Sequence, residues 1–209
     1  MMSKSIEGYT IFHNDSDYSR MVDMIRFFMY EGHLPKFSVF RARIGVQRQG
    51  FASYANQFFA DYKRKVDIIS FCLMPTHLHL VLRQRIDEGI SKYMSDLLNT
   101  YTRYFNVKRK RHGPLWTGRF KSVHVSSDKQ LLHLTRYVHL NPSTAGIVKK
   151  PDQWQFSSYS EFASPEKIEF PLCTYEGLLD MKPKEYASFV TDYAVHQKEL
   201  AIIKHLVLE

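Results

Sequence analysis

At 209 residues, 44% of them hydrophobic and 24% charged, the chain has the composition of a globular protein able to bury one good core. No apolar run approaches the roughly 18 residues that cross a membrane, and polar sequence follows Met1–Ser5 in place of an apolar signal core, so a soluble, cytoplasmic protein is expected. Two widely separated cysteines, Cys72 and Cys173, exclude a disulfide framework and a thiolate zinc site, while a net charge of +8 suits a polyanionic partner.

In chain order, Gly8–His13 alternates and predicts a first strand. Asn14, Asp15, Ser16 and Asp17 supply cap residues for a helix running to about Tyr30, with Met21, Ile25 and Phe28 near helical spacing. Residues 31–61 begin with an irregular basic stretch to Gly50, read as an insertion, with a short helix behind it from Phe51 to Lys63. Val66–Leu73 and His77–Arg83 predict two strands, and the short Met74-Pro75-Thr76 connection makes them an antiparallel pair. Side chains alternate along a strand, so His77 and His79 share one face while Leu78, Leu80 and Leu82 take the other. Two imidazoles on one face can converge on one metal ion.

Ile90, Met94, Leu97, Leu98, Tyr101 and Phe105 form the stripe of an amphipathic helix of about four turns. It leads into a basic segment. From Arg103 to Lys121 the chain carries seven cations (Arg103, Lys108, Arg109, Lys110, Arg111, Arg119, Lys121) and no Asp or Glu, with Tyr104, Phe105, Trp116 and Phe120 interleaved. Cations neutralise phosphates and flat rings stack on unpaired bases, so this stretch reads as a nucleic-acid surface, the alternative being a solvated basic loop whose aromatics belong to the core. Phe120–Ser126 alternates as a further strand. Ser127, with Gln130 three residues on, then has the spacing of a capping box for a helix over about Asp128–Leu140, which Pro142 is expected to end. Beyond Pro151 the character changes: Trp154, Phe156 and Tyr159 are expected to fold back on the core, and 183–195 and 199–207 read as helices. The element order predicts an α+β fold, a ferredoxin-like split β-α-β antiparallel sheet with helices packed on one face. Residues 1–150 form the main domain and 151–209 a mostly helical C-terminal extension.

Within the last core helix His133, Tyr137 and Asn141 recur every four residues and lie along one face. Taken singly they would read as a surface histidine, a half-buried tyrosine and a helix cap. If this face looks toward His77 and His79, Asn141 could be a third, oxygen ligand and Tyr137 a nucleophile one turn away. Imidazole and hard oxygen ligands with open positions suit Mg²⁺ or Mn²⁺ bound also by a phosphate. His133 and His139 stand as alternatives for ligand or proton shuttle, and Tyr101 or Tyr104 as alternative nucleophiles.

Four blocks carry a family resemblance: Cys72–Leu80 (CLMPTHLHL), Tyr101–Asn106 (YTRYFN), Gly113–Lys121 (GPLWTGRFK) and Arg136–Pro142 (RYVHLNP). In this order they resemble the single-tyrosine HUH transposases, within them the REP-associated tyrosine transposase branch, over about Val66–Tyr159. Thr76 stands where many relatives carry asparagine, and 31–61 is longer than in compact members. The resemblance implies cleavage and rejoining of single-stranded or hairpin DNA, with His77, His79 and Asn141 holding Mg²⁺ or Mn²⁺ and Tyr137 forming a 5′-phosphotyrosine. It implies phosphate contacts from Arg119 and Lys121, a basic arm at Lys108–Arg111, a base stacked on Trp116, and DNA contacts from Arg103 and Arg136. Both monomers and homodimers occur in the family. Three other readings compete: a domesticated hairpin-binding protein with little or no cleavage, an RNA-binding split β-α-β domain, and a hydrolytic zinc enzyme.

Overall fold

Every residue of β2, Val66–Met74, is buried, so a strand this rich in apolar side chains needs cover on both faces. A computed structural model describes residues 1–194, 196 and 197. The helix expected over 199–207 lies outside the described residues. Pro75 and Thr76 turn β2 directly into β3, His77–Gln84, which runs back antiparallel with Cys72 opposite His79 and a register shift between Ile68 and Ser70. On the other side of β3 lies β1, Met2–Lys4, pairing Met2 with His79 and Lys4 with His77. The sheet order is β1-β3-β2.

Two expected strands are corrected. Among the described residues Gly8–His13 forms no ladder; Ile11 and Phe12 instead donate their N–H groups to Pro75 O, at 2.8 and 3.3 Å, and bury their side chains. Among the described residues only Lys121 of Phe120–Ser126 pairs, exchanging two 2.9 Å backbone bonds with Met2. The layout is therefore the split β-α-β arrangement with its fourth strand reduced to one bridge.

Helices cover both faces of the sheet, not one. On the first face α1, Asp15–Phe27, and α5, Gly89–Lys108, pack over Ile68, Phe71, Leu73, Leu78 and Leu80. Asn14 caps α1 by accepting from Asp17 N. The stretch expected to be irregular folds into α2 (Phe37–Arg41) and α3 (Ile44–Gln49), followed by α4 (Phe51–Phe58). Phe27, Phe37, Phe40 and Phe59 hold it to α1 through ring contacts of 5.0–5.5 Å. The second face is covered by α6, Asp128–Thr144, whose Leu131 and Val138 pack on Ile69, Cys72, Met74 and Val81. Ser127 caps α6 as expected, accepting from Gln130 N at 3.2 Å. Pro142 lies inside α6 instead of ending it, in the last turn, where one lost backbone bond is tolerated.

The segment after Pro151 completes the core. Phe156 stacks on Tyr18 at 4.2 Å. Phe156–Ser158 runs along the outer edge of β2, with Leu73 N donating to Phe156 O and Ser158 N to Phe71 O. Two helices follow, α7 (Tyr159–Ala163) and α8 (Pro183–Thr191). Among the described residues no helix is long and apolar enough to cross a membrane.

Candidate active site

Strand alternation puts His77, His79 and Val81 on the face covered by α6. The two imidazoles stand nearly perpendicular with ring centres 5.0 Å apart. Burial pushes His77 down to about 4, with Lys4 across the strand pair adding to the effect. His79, buried more deeply and beside His77, is pushed down to about 3. Both rings are therefore neutral near pH 7, the form in which imidazole offers a lone pair to a metal. Thr76 Oγ1 lies 3.0 Å from His77 Nδ1; when it accepts that N–H, Nε2 is the nitrogen left free for a ligand.

Helix α6 brings Tyr137 to this pair. Its ring meets His79 edge-on at 5.8 Å and is 45% exposed. Leu131 and Val138, seated in the sheet, set the rotation of α6 that turns Tyr137 toward the histidines. Burial raises the Tyr137 phenol above its ordinary value, so the free site does not ionise it. Asn141, one turn on, donates Nδ2 to Tyr137 O at 3.0 Å, which leaves Oδ1 as its remaining acceptor.

The other candidates are placed elsewhere. His139 is fully buried between the Tyr186 and Ser158 hydroxyls, each 2.7 Å away. His133 Nδ1 lies 2.7 Å from Arg136, whose guanidinium covers the Phe189 and Tyr193 rings. Arg136 is thus a clamp between α6 and α8. Tyr101 is buried and donates to Ile11 O at 2.8 Å, while Tyr104 donates to Asp17 at 2.6 Å; neither belongs to the histidine face.

Among the described residues no group of three His, Cys, Asp or Glu side chains is placed to hold a metal. The donor set here is two neutral imidazoles on the sheet, with the Asn141 amide one turn beyond Tyr137 on α6. That set fits a six-coordinate ion completing its shell with water and phosphate oxygens better than a closed zinc site.

Residues 39–141 match the family described as Transposase IS200 like, a span that takes in the histidine pair, α5, the basic segment and α6 through Asn141. A Haemophilus influenzae protein under the provisional name REP-associated tyrosine transposase is 26% identical over 121 residues, 51% of this chain and 69% of that protein. The chain belongs to the IS200-like transposase family. No solved structure matches it.

In this transposase the expected DNA contacts divide into three groups. Arg119 and Lys121 are exposed, and Lys121 pairs with Met2, the residue opposite His79, so its position is on the histidine face of the sheet. Arg103 and Lys110 are also exposed, Arg103 on α5 at the far side of the sheet. The remainder hold the fold. Lys108 and Arg109 pair with the buried Asp17 at 2.5 and 3.5 Å. Arg111 ties Asn106 Oδ1 to Pro114 O, at 3.1 and 2.7 Å. Trp116 is buried, donating Nε1 to Thr102 Oγ1 and Leu98 O at 3.0 and 3.2 Å, and offers no face to a base. Sequence reasoning missed Lys4, an exposed cation directly opposite His77. No local pattern marks it, because a three-residue strand is too short to show alternation.

Proposed function

We propose that this transposase cleaves and rejoins single-stranded, hairpin-bearing DNA through a 5′-phosphotyrosine on Tyr137. The observation that carries the proposal is the Tyr137 ring standing edge-on to His79 at 5.8 Å, with His77 beside it on the same face. A divalent ion held by His77, His79 and Asn141 Oδ1 would supply charge neutralisation at the scissile phosphate. Tyr137 supplies the nucleophile. Its Oη–P bond forms as the P–O3′ bond breaks, the phenolic proton passes to solvent, and the 3′-oxygen leaves as a hydroxyl once protonated. The reverse step, with another 3′-hydroxyl as nucleophile, joins strands and frees the phenol. A phenol ordinarily titrates near 10 and is here pushed higher, so positioning against a neutralised phosphate is what Tyr137 requires. Lys4 and Lys121 flank the histidines and are suited to hold the phosphates on either side.

The test is incubation of the protein with end-labelled hairpin DNA in Mn²⁺ or EDTA, followed by a denaturing gel and mass spectrometry. A metal-dependent adduct on Tyr137 is the expected result. Tight binding without an adduct in any divalent metal would instead mark a hairpin-binding protein that does not cut.

A further inference from the structure

Between the sheet, α6 and the extended segment 122–127 lies a groove of about 700 Å³ that reaches Val81 on β3 and Leu134 on α6. Its lining includes Ile69 and Val81 from the sheet, Leu131 and Leu134 from α6, and Leu178, together with the charged Arg83 and Asp128. Its rim is Ser122–Ser127. Among the described residues, none of the backbone N–H or C=O groups of Ser122–Val125 is hydrogen-bonded. On this largely exposed segment at the groove they are an unused set of donors and acceptors, which calls for a partner or water. The volume falls in the range of small-ligand sites.

We infer that this groove is a nucleobase subsite, taking one base of the DNA strand next to the phosphate that Tyr137 attacks. The inference rests on the reading given under Proposed function and adds where sequence is read. Continuity fixes the occupant. Val81 follows His79 by two residues on the same strand face, about 7 Å along β3. Leu134 precedes Tyr137 by three residues, about 4.5 Å along α6. At roughly 3.4 Å per stacked step these offsets are one or two nucleotides. A base has two apolar faces and a polar edge. The leucine, valine and isoleucine walls suit the faces, and the free backbone of 122–125 with the exposed Ser122 and His124 suits the edge. The segment that sequence periodicity reads as a strand thus has its pairing groups turned to no neighbour in the sheet, and a base edge can complete them.

The experiment uses the full chain carrying Tyr137→Phe, in EDTA, so that neither cleavage nor metal enters the readout. Single-stranded DNA with a short randomised stretch beside a fixed hairpin is bound, and the retained fraction is sequenced. The same is done after adding Leu134→Trp, which fills the slot from a half-buried position. The expected result is a preference of about tenfold for one base at one position, flattened by Leu134→Trp while preferences elsewhere and the circular dichroism spectrum persist. An unchanged profile in a folded Leu134→Trp protein overturns the inference. If that variant does not fold, Ser122→Ala combined with His124→Ala must weaken or shift the preference at the same position, and no effect overturns it equally. If Leu134→Trp alters the oligomeric mass in size-exclusion chromatography and leaves the base profile alone, the groove joins two copies and the inference falls. Absence of DNA binding by the parent protein overturns the cleavage proposal and the subsite together.

Discussion

His139 Nε2 lies 2.7 Å from the Ser158 hydroxyl, and that hydroxyl also accepts from Phe71 N at 2.9 Å. With Tyr186 Oη 2.7 Å from Nδ1 on the other side of the ring, α6 is tied to the outer edge of β2 and to α8. Ser158→Ala leaves a buried ring nitrogen and a buried N–H without partners, and is expected to cost about 1–3 kcal/mol in urea denaturation. A change in the unfolding midpoint too small to measure would show that water or a shifted side chain replaces the hydroxyl.

Tyr137→Phe removes the nucleophile and leaves the ring packing on His79. Expected is loss of the covalent adduct, with hairpin affinity within about twofold of the parent by fluorescence anisotropy. An adduct that persists in Tyr137→Phe would transfer the nucleophile to another residue.

Thr76→Val takes away the oxygen 3.0 Å from His77 Nδ1. On the proposed ligand set, Mn²⁺ affinity measured calorimetrically should fall by about 10–100-fold, while DNA binding in EDTA is unchanged. Equal affinities would mean that His77 is oriented by its burial alone.

Two buried carboxylates set the acid limit. Asp17 accepts from Lys108, Tyr104 and His13 N, and Asp67 from Arg83, Arg85 and Arg64. Burial alone would raise each, but the donors outweigh it and hold both below 3.8. The unfolded chain then takes up protons first as the pH falls. Their stabilisation is full above the ordinary carboxylate range and is lost as pH drops through the folded values. Urea midpoints should be flat from about pH 7 to about pH 5 so far as these groups contribute, and fall below about pH 4. Asp67→Asn should shrink that fall, and an equally steep decline in the variant would count against the assignment.

Arg119 and Lys108 should behave oppositely although both are basic-segment residues. Arg119→Gln is expected to weaken DNA binding and to lower the salt slope by about one unit, with no change in stability. Lys108→Met removes a partner of buried Asp17 and should cost about 1–3 kcal/mol of stability, with a smaller effect on binding. Identical salt slopes for the two variants would contradict the division of roles.

The centre of the fold was legible in the residues because its signals are local. Val66–Met74 is long and apolar, Pro75-Thr76 turns it, and Ser127 and Asn14 cap helices at the positions their side chains suggest. His77, His79 and Tyr137 could be singled out for the same reason, since strand and helix periods fix their faces. What escaped reading depends on partners distant in sequence. Met2–Lys4 is a strand only because β3 accepts it, and Phe120–Ser126 alternates yet finds one partner, Met2. Helices α2 and α3 are too short to carry a stripe and are held by rings from α1 and α4. Trp116 could be read equally as a base platform or as core, and Arg136 as a DNA contact, because burial and ring contacts are set by tertiary packing that composition does not show.

The run of Phe156–Ser158 along β2 has a bearing on self-association. Open sheet edges invite strands from other molecules, and β2 would be such an edge if residues 156–158 and Thr174 did not occupy its outer hydrogen-bonding groups. A second copy that extended the sheet through β2 would first have to displace the Leu73–Phe156 and Phe71–Ser158 bonds and uncover the His139 hydroxyl contact behind them. Self-pairing through that side is therefore coupled to partial unfolding of the C-terminal segment, which makes the edge a barrier to chain swapping and to fibre growth as much as a part of the core.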